Sequence, residues 1–251
     1  MKMSEWIDQG IGIKNFKRLL WMVLCFLSFA FIIWVSGPAW IIWVPTLIMI
    51  GLHECGHLYA AKRFGLKTGG FYFVPGLGGV ALLKEFPKER WKDFWIFYAG
   101  PLAGLAQVLV LLFANIWLQW PLLGILAGVW SFINLFNLLP ALPLDGGKIM
   151  WSILSPINPL KRSYLRSWEY YFCTICSLIT ITLVGGPVWV MLILTLGWLE
   201  RKALMYQESL YKIQKIAMTQ KQFWRAMGLY FALSIVFIVI IFFTLIPYIK
   251  T

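Results

Sequence analysis

Long apolar stretches alternate along the chain with short polar breaks. Seven stretches come close to the roughly 20 apolar residues that a helix needs to cross a bilayer. They run over about 19–36, 40–61, 94–118, 121–140, 167–184, 187–203 and 224–248. Gly37-Pro38, Trp120-Pro121 and Gly185-Gly186-Pro187 separate neighbouring runs, because proline lacks the N–H and glycine the rigidity that a continuing helix requires. The fifth and sixth runs are short, so one kinked helix is the alternative there. Met1 to Arg18 is amphipathic and charged, and the first run follows it without a small-residue cleavage site. That pattern predicts a retained first span. Residues 69–83 are apolar, aromatic and too rich in glycine for a helix, which predicts a short β-hairpin.

Composition sharpens this picture. The 251 residues are 61% hydrophobic and only 13% charged, with 15 Trp and 19 Phe. A water-soluble domain of this size needs more polar surface, so the expectation is an all-α polytopic membrane protein of about seven transmembrane helices in a lipid bilayer. The net charge of +12 does not point to nucleic acid, since no basic stripe carries interleaved aromatics. Instead the basic residues set topology. In the seven-span scheme 21 of the 22 lysines and arginines fall on one side, leaving Lys250 alone on the other. The positive-inside rule then puts the N-terminus in the cytoplasm. Cys25, Cys55, Cys173 and Cys176 all lie within apolar stretches, which argues against a disulfide framework. Cys173 and Cys176 form a CxxC with no acidic or histidine partner nearby, and are read as small helix-packing residues.

Chemistry concentrates at the end of the second run, Gly51-Leu52-His53-Glu54-Cys55-Gly56-His57. His53 and His57 are four apart, so on a helix they project from one face and can grip one metal ion. Glu54 can then take a proton from a metal-bound water without itself being a ligand. These are the chain's two histidines, and they share an apolar run with an acid, which is costly in a membrane without a function. Two imidazoles and a carboxylate suit Zn2+ with one position left for water. Most of the ten acidic residues lie in charged segments or at span ends. Asp145 differs. It follows Asn137-Leu138-Leu139-Pro140-Ala141-Leu142-Pro143-Leu144, just past the fourth run and on the same predicted side as His57. Its prolines and glycines let the backbone turn back into the protein. An ordinary loop turn made by Asp145 with Gly146 is the plainer alternative.

These residues resemble the site-2 protease family of intramembrane metalloproteases. The resemblance rests on His53-Glu54-Cys55-Gly56-His57, on Asn137-Leu138-Leu139-Pro140 and on Leu144-Asp145-Gly146-Gly147, and covers about 40–150. It implies a three-helix catalytic core, zinc on His53, His57 and Asp145, and Glu54 as general base. It further implies that Asn137 hydrogen-bonds near the scissile carbonyl, with Asn134, one turn earlier, as a second helper. Ala99-Gly100-Pro101-Leu102-Ala103-Gly104 resembles a Gly-Pro segment of the family, which often has Asn where Gly104 stands. Here the small residues are read as close helix packing. In the family a membrane-level β-hairpin occupies the position of 69–83. Its edge, at Gly70, Phe71, Tyr72, Phe73 and Val74, would pair with an unwound transmembrane protein or peptide substrate.

The expected organisation is therefore an N-terminal segment with a first span over 1–39, a catalytic core over 40–150, and further spans over 151–251. A PDZ insertion and a CBS-domain tail, present in larger relatives, are not expected. The expected location is a cell membrane, crossed several times, with the N-terminus and active site towards the cytoplasm. Two rival readings remain. One is a metalloprotease whose third ligand is a Glu on a later helix. The other is a zinc-binding membrane protein without proteolysis, serving immunity, transport or scaffolding.

Overall fold

The computed structural model describes residues 40–154, apart from 75–77, 84, 86 and 143, together with 175 and 216–249. The runs expected at 19–36, 167–184 and 187–203, and Cys25, Cys173 and Cys176, lie outside the described residues. The remaining runs fall on helices. Helix α1 spans Trp40–Arg63 and carries both histidines. It ends in a Schellman motif. Gly65, at φ 75°, donates to the Lys62 carbonyl at 2.9 Å, and Leu66 donates to Ala61 at 3.1 Å. Lys62 and Arg63 in its last turn complement the negative end of the helix dipole.

Strands β1 (Thr68–Val74) and β2 (Gly78–Leu83) pair antiparallel, with Phe71 opposite Ala81 and an irregularity between Thr68 and Gly70. The ribbon lies against α1. The five residues expected to meet substrate, Gly70 to Val74, are on β1. Lys67 closes the base of the ribbon on Glu85 at 3.1 Å. Hydrogen bonding to Lys67 holds the Glu85 carboxyl below its usual range.

Helix α2 (Arg90–Leu118) follows, then α3 (Pro121–Asn137), with only Gln119 and Trp120 between them. Gln119 adopts φ 50° and donates to the Asn115 carbonyl at 2.9 Å, closing α2. Pro121 opens α3 where its missing N–H has no intrahelical partner to lose. Gly124 faces Asn115 and Asn134 faces Gly104, so α3 runs back along α2.

Two boundaries differ from the sequence expectation. The fourth run was drawn to residue 140, but α3 stops at Asn137 and the chain turns through Leu138–Leu144. The segment after it, which lies outside every apolar run, forms helix α4 (Asp145–Leu154). Its inward residues, Ile149 and Ile153, join the core, which explains a helix where hydropathy alone signals a break.

Helix α5 (Gln220–Ile249) begins with a capping box. The Thr219 hydroxyl accepts from the Gln222 N–H, and the Gln222 side chain accepts from the Thr219 N–H. Just before it, Ile216 bridges the start of α2, donating to the Lys88 carbonyl and accepting from the Arg90 N–H. Helix α5 packs antiparallel on α3, with Tyr230 at Leu138 and Leu245 at Gly128. The core they enclose includes Phe94, Val108, Ala127, Leu138, Ile149 and Phe237, all buried. Helices α2 and α5 are long and apolar enough to cross a membrane, and α3 is a shorter apolar helix. Their outer faces expose large apolar side chains such as Phe113, Trp117, Ile238 and Phe243. A surface of that kind fits lipid.

Candidate metal centre

The second half of α1 points His53, Glu54 and His57 inward, each buried. The two imidazoles stand edge to face with centroids 5.0 Å apart, as i, i+4 spacing on a helix dictates. Asp145, at the first turn of α4, reaches them from the other side. Its Oδ2 lies 2.9 Å from His53 Nε2 and 3.0 Å from His57 Nε2. The turn between Asn137 and Asp145 makes this meeting possible. It is tight: a side chain at Gly146 would run into the Leu138 and Leu139 carbonyls.

Each histidine is held through its other nitrogen. His57 Nδ1 donates to the Ile96 carbonyl at 2.7 Å, and His53 Nδ1 donates to Asn134 Oδ1 at 3.0 Å. With protons on both Nδ1 atoms, both Nε2 lone pairs face the Asp145 carboxylate. Three electron-rich atoms converging in a buried site repel one another unless a cation lies among them. Tetrahedral zinc with ligands at about 2.0–2.2 Å sets donors roughly 3.3 Å apart, so a spreading of a few tenths of an ångström suffices. The donor set and its second contacts therefore fit a zinc ion. Among the described residues His53, His57 and Asp145 form the one such group.

Asn137 completes the ring around the carboxylate. Its Nδ2 donates to Asp145 Oδ2 at 2.6 Å and lies 3.2 Å from His53 Nε2, while its Oδ1 accepts from the Asp145 N–H at 3.3 Å. Glu54 sits beside the cluster, and among the described residues no hydrogen bond or ion pair ties its carboxylate down. Cys55, between the two motif halves, is exposed on the opposite face of α1.

Helix α2 supplies the back wall through its glycines. A Cβ at Gly100 would fall 2.7 Å from His53 Nε2 and closer still to the His57 ring. The close-packing reading of the Gly100–Gly104 segment thus has a definite object, the ligands themselves. One contribution escapes sequence reasoning. The Ile96 carbonyl is a backbone group of an apolar residue and leaves no sequence signal. Asn134 does leave one, an amide one helical turn before Asn137 and on the same face.

Comparison with known proteins points to zinc metalloproteases. The profile of peptidase family M50 matches residues 41–120, which hold α1, the ribbon and α2. A zinc metalloprotease of Methanocaldococcus jannaschii is 34% identical over 161 residues, covering 62% of this chain and 45% of its own. Stage IV sporulation protein FB of Bacillus subtilis is 26% identical over 140 residues, 51% of this chain and 45% of its own. Zinc metalloprotease Rip1 of Mycobacterium tuberculosis is 31% identical over 127 residues, 37% of this chain and 29% of its own. The chain thus spans less than half the length of each of these relatives. Motif, fold and comparison converge on a likeness to the zinc metalloproteases of peptidase family M50.

Proposed function

We propose that this protein is a membrane-embedded zinc metalloprotease that hydrolyses peptide bonds in or near the transmembrane segments of other membrane proteins. The observation that carries the reading is the convergence of two Nε2 lone pairs and one carboxylate in a buried pocket, with both Nδ1 atoms already engaged. His53, His57 and Asp145 would hold the ion. When bound, zinc polarises a carbonyl and brings the pKa of a coordinated water towards about 7.

The chain's own residues supply the remaining steps. Glu54 accepts a proton from the attacking water and returns it to the leaving amine, a role that its untethered carboxylate permits. Asn137 keeps Asp145 aimed at the two imidazoles and brings an amide N–H to the edge of the reacting region. The edge of β1 at Gly70–Val74 receives the substrate as an added strand, because a helical peptide bond is shielded by its own hydrogen bonds. The N-terminus and the site face the cytoplasm, from which water enters, a reading supported by the basic residues that flank the apolar runs. The chain crosses a cell membrane several times.

The test uses purified protein in lipid vesicles with a single-span substrate protein. The wild type is expected to hold one zinc and cleave the substrate. Glu54→Gln should keep its zinc and lose cleavage, and Asp145→Ala should lose both. Cleavage retained in Glu54→Gln would sink the general-base role. Zinc bound by a wild type that cleaves nothing would favour the binding-only alternative. Zinc retained in Asp145→Ala would point back to a Glu ligand on a later helix.

A further inference from the structure

We propose that Asn134 is a positioning residue that fixes the tautomer of His53, and that Gly104 on the facing helix is the vacancy that lets it do so. The inference rests on the metal reading above and adds a residue and a mechanism to it.

The orientation of the Asn134 amide is decided at its nitrogen end. Nδ2 donates to the Trp130 carbonyl at 2.8 Å and faces Met49 Sδ at 3.7 Å. Both partners are acceptors, so the nitrogen belongs there and Oδ1 must be the atom facing His53. An amide oxygen cannot donate. The proton in the 3.0 Å contact therefore resides on His53 Nδ1, and Nε2 keeps its lone pair for the ion. The amide is only 1% exposed, so water does not compete for either end.

Its carrier is braced as well. The Trp130 indole N–H donates to the Thr46 hydroxyl at 3.1 Å, and that hydroxyl donates to the Ile42 carbonyl at 2.7 Å. Helices α1 and α3 are thus joined twice through buried polar groups, once at Thr46 and once at His53. Rotating Asn134 away from His53 would break a bonded chain, not a lone contact.

Helix α2 makes the room. A Cβ at Gly104 would fall 2.6 Å from Asn134 Nδ2 and closer still to Oδ1. Any side chain there would occupy the volume that the amide fills. Position 104 and residue 134 therefore compete for one pocket, and this chain fills it from α3.

The histidine content makes the test direct. Only two histidines are present, so a sample labelled with 15N in histidine reports two rings alone. The spectra are taken without zinc, because an ion on Nε2 would itself force the proton onto Nδ1, and in the wild type both rings are expected to show a protonated Nδ1. Asn134→Leu keeps the bulk but has no acceptor. It should bind zinc about 10–100-fold more weakly against a competing chelator, and the His53 ring should lose its Nδ1-protonated signature while His57 keeps it. Asn134→Asp restores an acceptor and should restore both readouts to near wild type. His57, held by Ile96, is the internal control for folding. Wild-type zinc affinity in Asn134→Leu would overturn the proposal, as would an equal loss in Asn134→Asp with the His57 signature intact. A wild type that binds no zinc would overturn the metal reading itself, a result distinct from either.

Discussion

The two halves of α2 follow opposite rules. From Arg90 to Val108 the helix buries Asp93, Phe94, Ile96, Tyr98, Gly100, Pro101 and Gly104. Past Val108 it buries nothing, and Leu109, Val110, Phe113, Ile116, Trp117 and Leu118 are exposed. Both halves belong to one continuous helix that contains an apolar window long enough to cross a membrane. What separates them is the kind of neighbour. The first half meets side chains of fixed shape, including the candidate ligands, so it needs small residues and specific carbonyls at set places. The second half packs Leu111 and Leu112 partly against the core and leaves its other large side chains exposed, a surface that suits lipid, which accommodates any apolar shape. A substitution's effect should therefore depend on which half it falls in, more than on its chemistry.

The largest effect is expected at Gly100→Val. The added methyls enter the space of both imidazoles, and metal analysis of the purified variant should find zinc near background with proteolysis lost. Full zinc occupancy would mean that α2 can retreat, and the contrast between the halves would collapse. Phe94→Ala removes a buried ring packed against Tyr98 at 5.2 Å. It should cost about 3–5 kcal/mol in reversible unfolding from detergent. Val110→Arg tests the outer half from the other direction. If that face meets lipid, insertion of the helix should become less favourable by about 2.5–3.5 kcal/mol in a glycosylation-based assay. No penalty would place the outer half against water or protein. Phe113→Ala should change stability by less than about 0.5 kcal/mol, since its ring has no buried partner to lose. The Phe94 and Phe113 pair thus compares one chemical change in two surroundings.

The sequence carries the metal chemistry clearly, because ionisable groups stand out in an apolar chain. His53, Glu54, His57 and Asp145 are found by that contrast together with helical spacing. The helices at 40–63, 90–118, 121–137 and 220–249 follow from run length and from breaks at proline. Helix α4 does not, since it is only ten residues long and opens on Asp145-Gly146-Gly147, which reads as a turn; its helicity comes from packing Ile149 and Ile153 into a core that other helices build. The same holds for the Ile96 carbonyl, which serves His57 through a group that every residue has. Gly100 and Gly104 are visible as small residues, but the ligand and the amide they admit come from helices that only the fold brings near.

The Tyr230 hydroxyl donates to the Leu138 carbonyl at 2.5 Å, across a separation of 92 residues. That carbonyl lies in the turn between Asn137 and Asp145, so the brace of the metal pocket is encoded long after the pocket's donors. At about 5–20 residues per second on the ribosome, roughly 5–20 s separate the two. During that interval the nascent chain already possesses both imidazoles and the carboxylate. It lacks the helix that locks their turn. Maturation of the pocket is therefore tied to completion of α5, and a chain interrupted before Gln220 keeps every donor yet never receives its clasp.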